Sequence, residues 1–303
     1  MQYKALLLLG WMALGLLPDS RVRAQEPSRP SKIEPSNTIR LRVEKNISFA
    51  QSGEESITAD LCRPDSNEIL PIVVMIHGGG WISGDKWNVT DHAREMANAG
   101  FVVMSINYRL APKHPYPAQL EDCRAALSWI EKHADDWKAD RKRLGVWGYS
   151  AGAQLAAMLA LQPQDSAVKP RCCVGGGTPC DLTGIPEDSR LLAGVFGKTR
   201  GEAPDIYRDA SPITFASSQS PPCFWFHGTT DFLVPIENSR TMHRKLTELG
   251  VSSELYEIPG QGHLITFLDS KARIKAIEFL KKHLGVIPDD AKPDDAKSND
   301  SKP

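Results

Sequence analysis

The sequence lacks any excess of charge of one sign: 36 lysines and arginines stand against 37 aspartates and glutamates, for a formal net charge of −1. No basic patch or acidic stripe in it predicts a nucleic-acid partner, and none is expected. It also lacks metal-binding cysteine pairs. Six cysteines occur in 303 residues, none in a C-x-x-C spacing, and the adjacent Cys172-Cys173 does not suit a tetrahedral zinc site. The apolar stretch at residues 5–17 is shorter than the roughly 20 residues that a membrane-spanning helix needs. What remains is an apolar fraction of 41%, ordinary for a soluble globular domain, on a chain long enough for one large core.

Both ends are expected to stay outside that core. Residues 1–24 carry Lys4, then the apolar stretch, then Val22-Arg23-Ala24, the pattern of a secretory signal peptide cleaved after Ala24. No cysteine follows that site, which argues against a lipid-anchored form, and no stable membrane span is expected after cleavage. Residues 25–37 are rich in proline and serine and read as a linker. At the other end, Pro288-Asp-Asp-Ala-Lys292 repeats as Pro293-Asp-Asp-Ala-Lys297, and residues 288–303 read as a disordered charged tail. The folded domain is expected over 38–287. The protein is expected to be exported, to a periplasm or the exterior. Six cysteines then allow fifteen full pairings, which sequence cannot choose among. Cys172 and Cys223 fall in apparent buried strands, and zero or one disulfide is expected.

Within 38–287, strands and helices alternate. Residues 39–50 and 57–62 read as early antiparallel strands. Residues 71–76 and 101–107 are rich in Val, Ile and Met without alternation, as strands buried on both faces should be. A helix at 91–99 lies between them, closed by Gly100. A second helix covers Ala118 to His133, before a strand at 144–147. Strands follow at 171–174, 222–226 and 253–258, with a helix at 236–249. Such βα units imply a mostly parallel sheet with right-handed crossovers and active residues at the carboxyl ends of its strands. Residues 183–216 interrupt the pattern between the sixth and seventh strands and are expected to form a small flap.

Chemistry-bearing residues sit at those strand ends. Gly148-Tyr149-Ser150-Ala151-Gly152 joins a strand to the helical run at 154–160. A G-x-S-x-G at such a junction is a nucleophile elbow, in which a sharp turn pushes the serine hydroxyl out of the sheet. The 71–76 strand ends in His77-Gly78-Gly79-Gly80-Trp81. Glycines there allow backbone N–H groups to face a crevice that a Cβ would obstruct. The amides of Gly79, Gly80 and Ala151 are the candidate oxyanion donors. Asp231 and His263 each follow a predicted strand, and the chain order Ser150, Asp231, His263 suits a serine triad. Each has a plainer reading: Asp231 can cap the helix after it, and Gly262-His263 can be a turn. His77 and His227 are expected to be structural, and Asp85 and Glu121 to anchor loops. Trp81 and Tyr149 either line the substrate site or serve as core aromatics.

These motifs resemble those of the α/β-hydrolase esterases and lipases, in the hormone-sensitive-lipase-like and bifunctional feruloyl and acetyl-xylan-esterase-like branch. Besides the segments above, Asn107-Tyr108-Arg109-Leu110-Ala111-Pro112, His114-Pro115-Tyr116-Pro117-Ala118, Ala210-Ser211-Pro212 and His227-Gly228-Thr229-Thr230-Asp231 carry the similarity, which runs from about residue 60 to about 285. Lipase-like members often read G-D-S-A-G, and Tyr149 in place of that Asp favours the xylan-esterase-like side. The resemblance implies an eight-stranded α/β-hydrolase fold and a carboxylic-ester hydrolase that works through an acyl-enzyme. It implies no metal or organic cofactor, and small or polysaccharide-linked esters as substrates. With a histidine base, activity is expected to rise from mildly acidic to neutral pH. An amide hydrolase on the same fold, an arylformamidase or a peptidase, uses the same triad. A non-catalytic binding protein on this fold is the third possibility, although such chains commonly lose a residue that is intact here.

Overall fold

The computed structural model describes residues 39–163 and 166–286. The readings of 1–24, 25–37 and 288–303 lie outside the described residues. Eight strands form one sheet: β1 (Leu41–Ser52), β2 (Glu55–Pro64), β3 (Leu70–Ile76), β4 (Val102–Ile106), β5 (Ala139–Tyr149), β6 (Cys172–Gly176), β7 (Cys223–Gly228) and β8 (Ser253–Ile258). Their spatial order is β1-β2-β4-β3-β5-β6-β7-β8. β1 pairs antiparallel with β2, and β2 antiparallel with β4, while every pairing from β4 to β8 is parallel. This is the α/β-hydrolase fold that the motifs imply.

The strand period of two decides where the core lies. All seven residues of β3 are buried. Ile72, Val74 and Ile76 pack on one face with α2 (Ala118–His133), α3 (Ala151–Leu161) and Met242 and Leu246 of α6 (Glu237–Glu248). Val73 and Met75 pack on the other with α1 (Thr90–Asn98) and α8 (Ser270–Leu284). Strands covered on both faces need no polar alternation, hence the continuous apolar runs. The sequence reading assigned no element to 270–284. There Ala272, Ala276, Phe279, Leu280 and Leu284 are buried, a helical stripe in which each large side chain contributes roughly 1.5–3 kcal/mol on burial. Asp269 caps its start by accepting the Ala272 amide at 2.8 Å.

β5 is longer than the predicted 144–147. Its first residues pair with Leu70 and Pro71 before a register shift, after which Ile72 faces Leu144. The strand thus bends at an irregularity that polar residues Asp140 to Arg143 disguise. The insertion between β6 and β7 contains two short helices, α4 (Ala193–Phe196) and α5 (Pro204–Asp209). All six cysteines are buried and free. Among the described residues no helix is long and apolar enough to cross a membrane.

Candidate active site

Ser150 follows β5, which lies between β3 and β6 near the middle of the sheet. Its backbone has φ 55° and ψ −122°, a conformation that costs a non-glycine residue about 1–3 kcal/mol. The surroundings leave it no alternative. A Cβ on Gly148 would sit 2.2 Å from the Gly152 carbonyl oxygen, and one on Gly152 would sit 2.2 Å from that of Ile76. The Ser150 amide donates to the Gly176 carbonyl at 2.8 Å, and the Ser150 carbonyl accepts the amides of Ala153 and Gln154. The strain is therefore held from both sides, and Ser150 remains partly exposed between buried neighbours.

His263 begins the short helix α7 (His263–Phe267), just beyond β8, and Asp231 lies in the loop after β7. The two are joined directly: His263 Nδ1 donates to Asp231 Oδ2 at 2.6 Å. Asp231 Oδ1 accepts the amides of Leu233 and Val234, both at 2.9 Å. One carboxylate oxygen thus shapes the loop while the other faces the imidazole. Asp231 does not cap α6: the residue before that helix is Ile236 and no side chain caps it, so the Oδ1 bonds shape only the loop. Burial alone would push the Asp231 carboxyl up. Hydrogen bonds from His227 and His263, the His263 charge and the Val234 amide outweigh it and hold the carboxyl well below the usual range.

The imidazole of His263 lies over Gly177, where a Cβ would stand 2.9 Å from its Cε1. Gly177 directly follows the residue that accepts the Ser150 amide, so the end of β6 touches both Ser150 and His263. The Ser150 hydroxyl makes no hydrogen bond to His263 in this structure. Such contacts are often long in unliganded sites and tighten around substrate.

The residues at 77–81 leave β3 and run past the elbow, with an ideal Gly78 Cβ only 3.4 Å from Ser150 Cβ. Gly79 and Gly80 are exposed, at φ 122° and 62°. Neither their amides nor that of Ala151 donates to a protein acceptor among the described residues. Three N–H groups are thus left available beside the serine. His77 is buried, stacked on Tyr108 at 4.3 Å, with its Nδ1 2.7 Å from the Gly78 carbonyl. It orders the loop, as expected. Asp85 accepts from Trp87 and Asn107, and Glu121 pairs with Arg109, so both anchor loops.

Trp81 and Tyr149, the candidate substrate contacts, are both mostly buried, with their polar tips bonded within the protein. Trp81 is 6% exposed and its indole N–H donates to Gln154 Oε1 at 3.0 Å. Tyr149 is 5% exposed, and its hydroxyl is engaged with the His263 carbonyl. Both belong to the packed cores. Buried Trp N–H and Tyr O–H groups usually find a hydrogen-bond partner. Gln154 itself went unread, although it is the one polar residue in the apolar helix Ala151–Leu161.

The insertion at 183–216 packs its aromatics beside Trp81, and Ser150 is partly exposed. Phe196 and Tyr207 pack against each other at 4.6 Å, and Phe196 against Tyr116 at 5.5 Å and Trp81 at 6.4 Å. It is a wall beside the loop that follows β3.

Sheet order, elbow and the aspartate–histidine pair together define an α/β-hydrolase. The BD-FAE family model matches residues 59–246, more than half of the chain, and the chain belongs to this family of α/β-hydrolase esterases. It is 31% identical to Esterase LipC of Mycobacterium tuberculosis over 218 residues, 66% of this chain and 54% of that protein. It is 28% identical to Esterase LipQ of the same organism over 260 residues, 80% of this chain and 62% of that protein. The chain thus spans between half and two thirds of the length of these relatives. Among solved structures it resembles a truncated carbohydrate esterase from gut microbiota, with TM-score 0.76 and 22% identity, covering 83% of this chain and 99% of that one. It also resembles the butyrate-bound esterase Est2 of Thermogutta terrifontis, with TM-score 0.67 and 21% identity, covering 81% and 94%.

Proposed function

We propose that the chain is an exported serine carboxylic-ester hydrolase. Ser150 Oγ attacks the ester carbonyl while His263 Nε2 takes its proton. Asp231 fixes the imidazole through Nδ1 and stabilises the imidazolium. The amides of Gly79, Gly80 and Ala151 receive the negative charge that forms on the carbonyl oxygen. His263 then protonates the leaving alcohol, and the acyl-enzyme is released by water that the same histidine activates. The observation that carries this reading is the 2.6 Å bond from His263 Nδ1 to Asp231 Oδ2, beside a strained serine and three unengaged amides.

The substrate class is proposed as short-chain acyl esters, including those on a carbohydrate. The partly exposed Ser150 suits an acyl group displayed on a bulky alcohol. The butyrate-bound neighbour supports a short acyl chain, and the carbohydrate-esterase neighbour supports an ester on a sugar. Export rests on the signal-peptide pattern of residues 1–24, and fractionation of the producing cell tests it.

The deciding experiment is hydrolysis of p-nitrophenyl acetate by the wild type and Ser150→Ala, with fluorophosphonate labelling alongside. The variant is expected to lose both turnover and labelling while its melting temperature stays near wild type. Retained turnover would reject the assignment. A panel of acyl lengths, acetylated and feruloylated xylan, N-formylkynurenine and peptide anilides separates ester from amide hydrolysis.

A further inference from the structure

The three proposed oxyanion donors lie on two separate pieces of chain. Ala151 starts α3, whereas Gly79 and Gly80 belong to the loop after β3. A hole built this way works only when something fixes the distance between the pieces, because donors must meet the oxyanion within a few tenths of an ångström. Gln154 sits where that link is needed. It lies one helical turn beyond the nucleophile, its amide donating to the Ser150 carbonyl at 3.1 Å. Its side chain is 1% exposed and makes two bonds in opposite directions. Oε1 accepts the Trp81 indole N–H at 3.0 Å, and Nε2 donates to the Ala210 carbonyl at 2.7 Å. Trp81 follows Gly80 directly and has φ 63°, so its ring position and the orientation of the preceding peptide are tied together. Ala210 is buried in the insertion before β7.

Given the proposed esterase site, we infer that Gln154 is a positioning residue. It clamps Trp81 to the nucleophile helix and thereby holds the Gly79 and Gly80 amides in register with Ala151. The same side chain braces that clamp against the insertion. An amide side chain suits the task because it accepts on one atom and donates from the other, satisfying two buried groups in separate segments. An apolar residue of the same length would leave the Trp81 N–H and the Ala210 carbonyl buried without partners.

The test uses the full chain with p-nitrophenyl acetate, and with an alkyl trifluoromethyl ketone, whose serine adduct carries the anionic oxygen. Trp81→Phe removes the indole N–H and keeps an aromatic ring. Gln154→Met removes both bonds and keeps the length. Each is expected to lower kcat by roughly 10- to 100-fold with KM within about twofold, and to weaken the trifluoromethyl ketone by the same factor. A purely structural role would lower the melting temperature or folded fraction without this matched loss. Should Gln154→Met fail to fold, Trp81→Phe decides. A Trp81→Phe enzyme with wild-type kcat overturns the inference, as does a lower kcat with unchanged ketone affinity. Absence of ester turnover in the wild type, or turnover retained in Ser150→Ala, would instead remove the esterase reading itself.

Discussion

The hydroxyl of Tyr149 donates to the backbone carbonyl of His263. The residue before the proposed nucleophile thus holds the main chain of the proposed base. Its ring also packs against that of His263 at 5.2 Å and Phe267 at 5.0 Å. Tyr149→Phe keeps the ring and deletes one buried hydrogen bond, so the expected stability loss is about 1 kcal/mol. The expected loss in kcat is larger than that implies, roughly 10-fold, because the histidine start of α7 gains freedom. Thermal melting and steady-state kinetics on the same preparation check this, and an unchanged kcat would leave the hydroxyl with a packing role alone.

His227 gives Asp231 a second ring nitrogen. Its Nε2 lies 2.9 Å from the Val234 carbonyl and 3.2 Å from Asp231 Oδ2, and its Nδ1 meets Ser239 Oγ at 2.7 Å. With two acceptors in reach, Nε2 carries the proton, and the Ser239 hydroxyl completes the ring's bonding. The side chain is fully buried. His227→Phe is expected to destabilise the protein by roughly 1–3 kcal/mol, since the Val234 carbonyl and Ser239 lose their partner. It is also expected to lower kcat, because Oδ2 of Asp231 is then fixed by His263 alone. Ser239→Ala should show the milder form of both effects. Equal stability losses with no change in kcat from either variant would confine His227 to the core.

His92 links acid stability to the same site. Burial depresses it to about 4, against the opposing hydrogen bond from its Nε2 to the Phe267 carbonyl. Its ring stacks on Phe267 at 4.5 Å, at the end of the helix that His263 begins. A histidine lowered in the folded state binds fewer protons there than in the unfolded chain. Stability is then complete above the unfolded value of about 6.5 and is lost as pH falls through the folded value. That difference amounts to about 3 kcal/mol. His77 and His283, also lowered by burial, act with the same sign. His92→Gln keeps a donor for the Phe267 carbonyl without titrating, so subtracting its melting curve between pH 7 and 4.5 from that of the wild type isolates His92. Asp231 acts in a separate window. Its lowered carboxyl contributes stability above about pH 4, lost only as pH falls further toward its folded value. Coincident wild-type and His92→Gln curves would contradict the first assignment.

The Tyr149–His263 and His92–Phe267 contacts, with the Trp81–Gln154 bond, mark what the sequence conceals. The elbow, the glycine loop, Asp231 and His263 each carry a local signature, because a strand end followed by a turn is written in adjacent residues. Helix Ala118–His133 and strand Ser253–Ile258 were readable to the residue for the same reason. The supporting bonds are different in kind. Trp81 meets Gln154 across 73 residues, Tyr149 meets His263 across 114 and His92 meets Phe267 across 175. No periodicity encodes such pairings, and an aromatic beside a motif reads equally as ligand contact or as core. The helix Ser270–Leu284 went unread for a plainer cause: after His263 the motifs stop, and only its buried stripe marks it.

The glycines after His77 separate backbone shape from chemistry. At Gly79, φ is 122°, and an added Cβ would stand 2.0 Å from the Ser83 carbonyl oxygen. The Gly79 carbonyl also accepts the Ser83 amide at 3.1 Å and its hydroxyl at 3.0 Å, so the turn cannot open without losing both. At Gly80, φ is 62° and the nearest atom to an added Cβ is 3.9 Å away, on the Ile82 side chain. Gly80→Ala therefore meets only the left-handed backbone cost of roughly 1–2 kcal/mol and keeps its amide in place. Gly79→Ala must displace the loop, moving an amide that the proposed mechanism needs, and is expected to lower kcat by roughly 10²- to 10³-fold. The two alanine variants, compared by kcat and by melting temperature, should thus rank oppositely to their distance from Trp81: the nearer glycine tolerates the methyl and the farther one does not. Equal activity in both would mean that the amides of this loop do not face the reacting carbonyl.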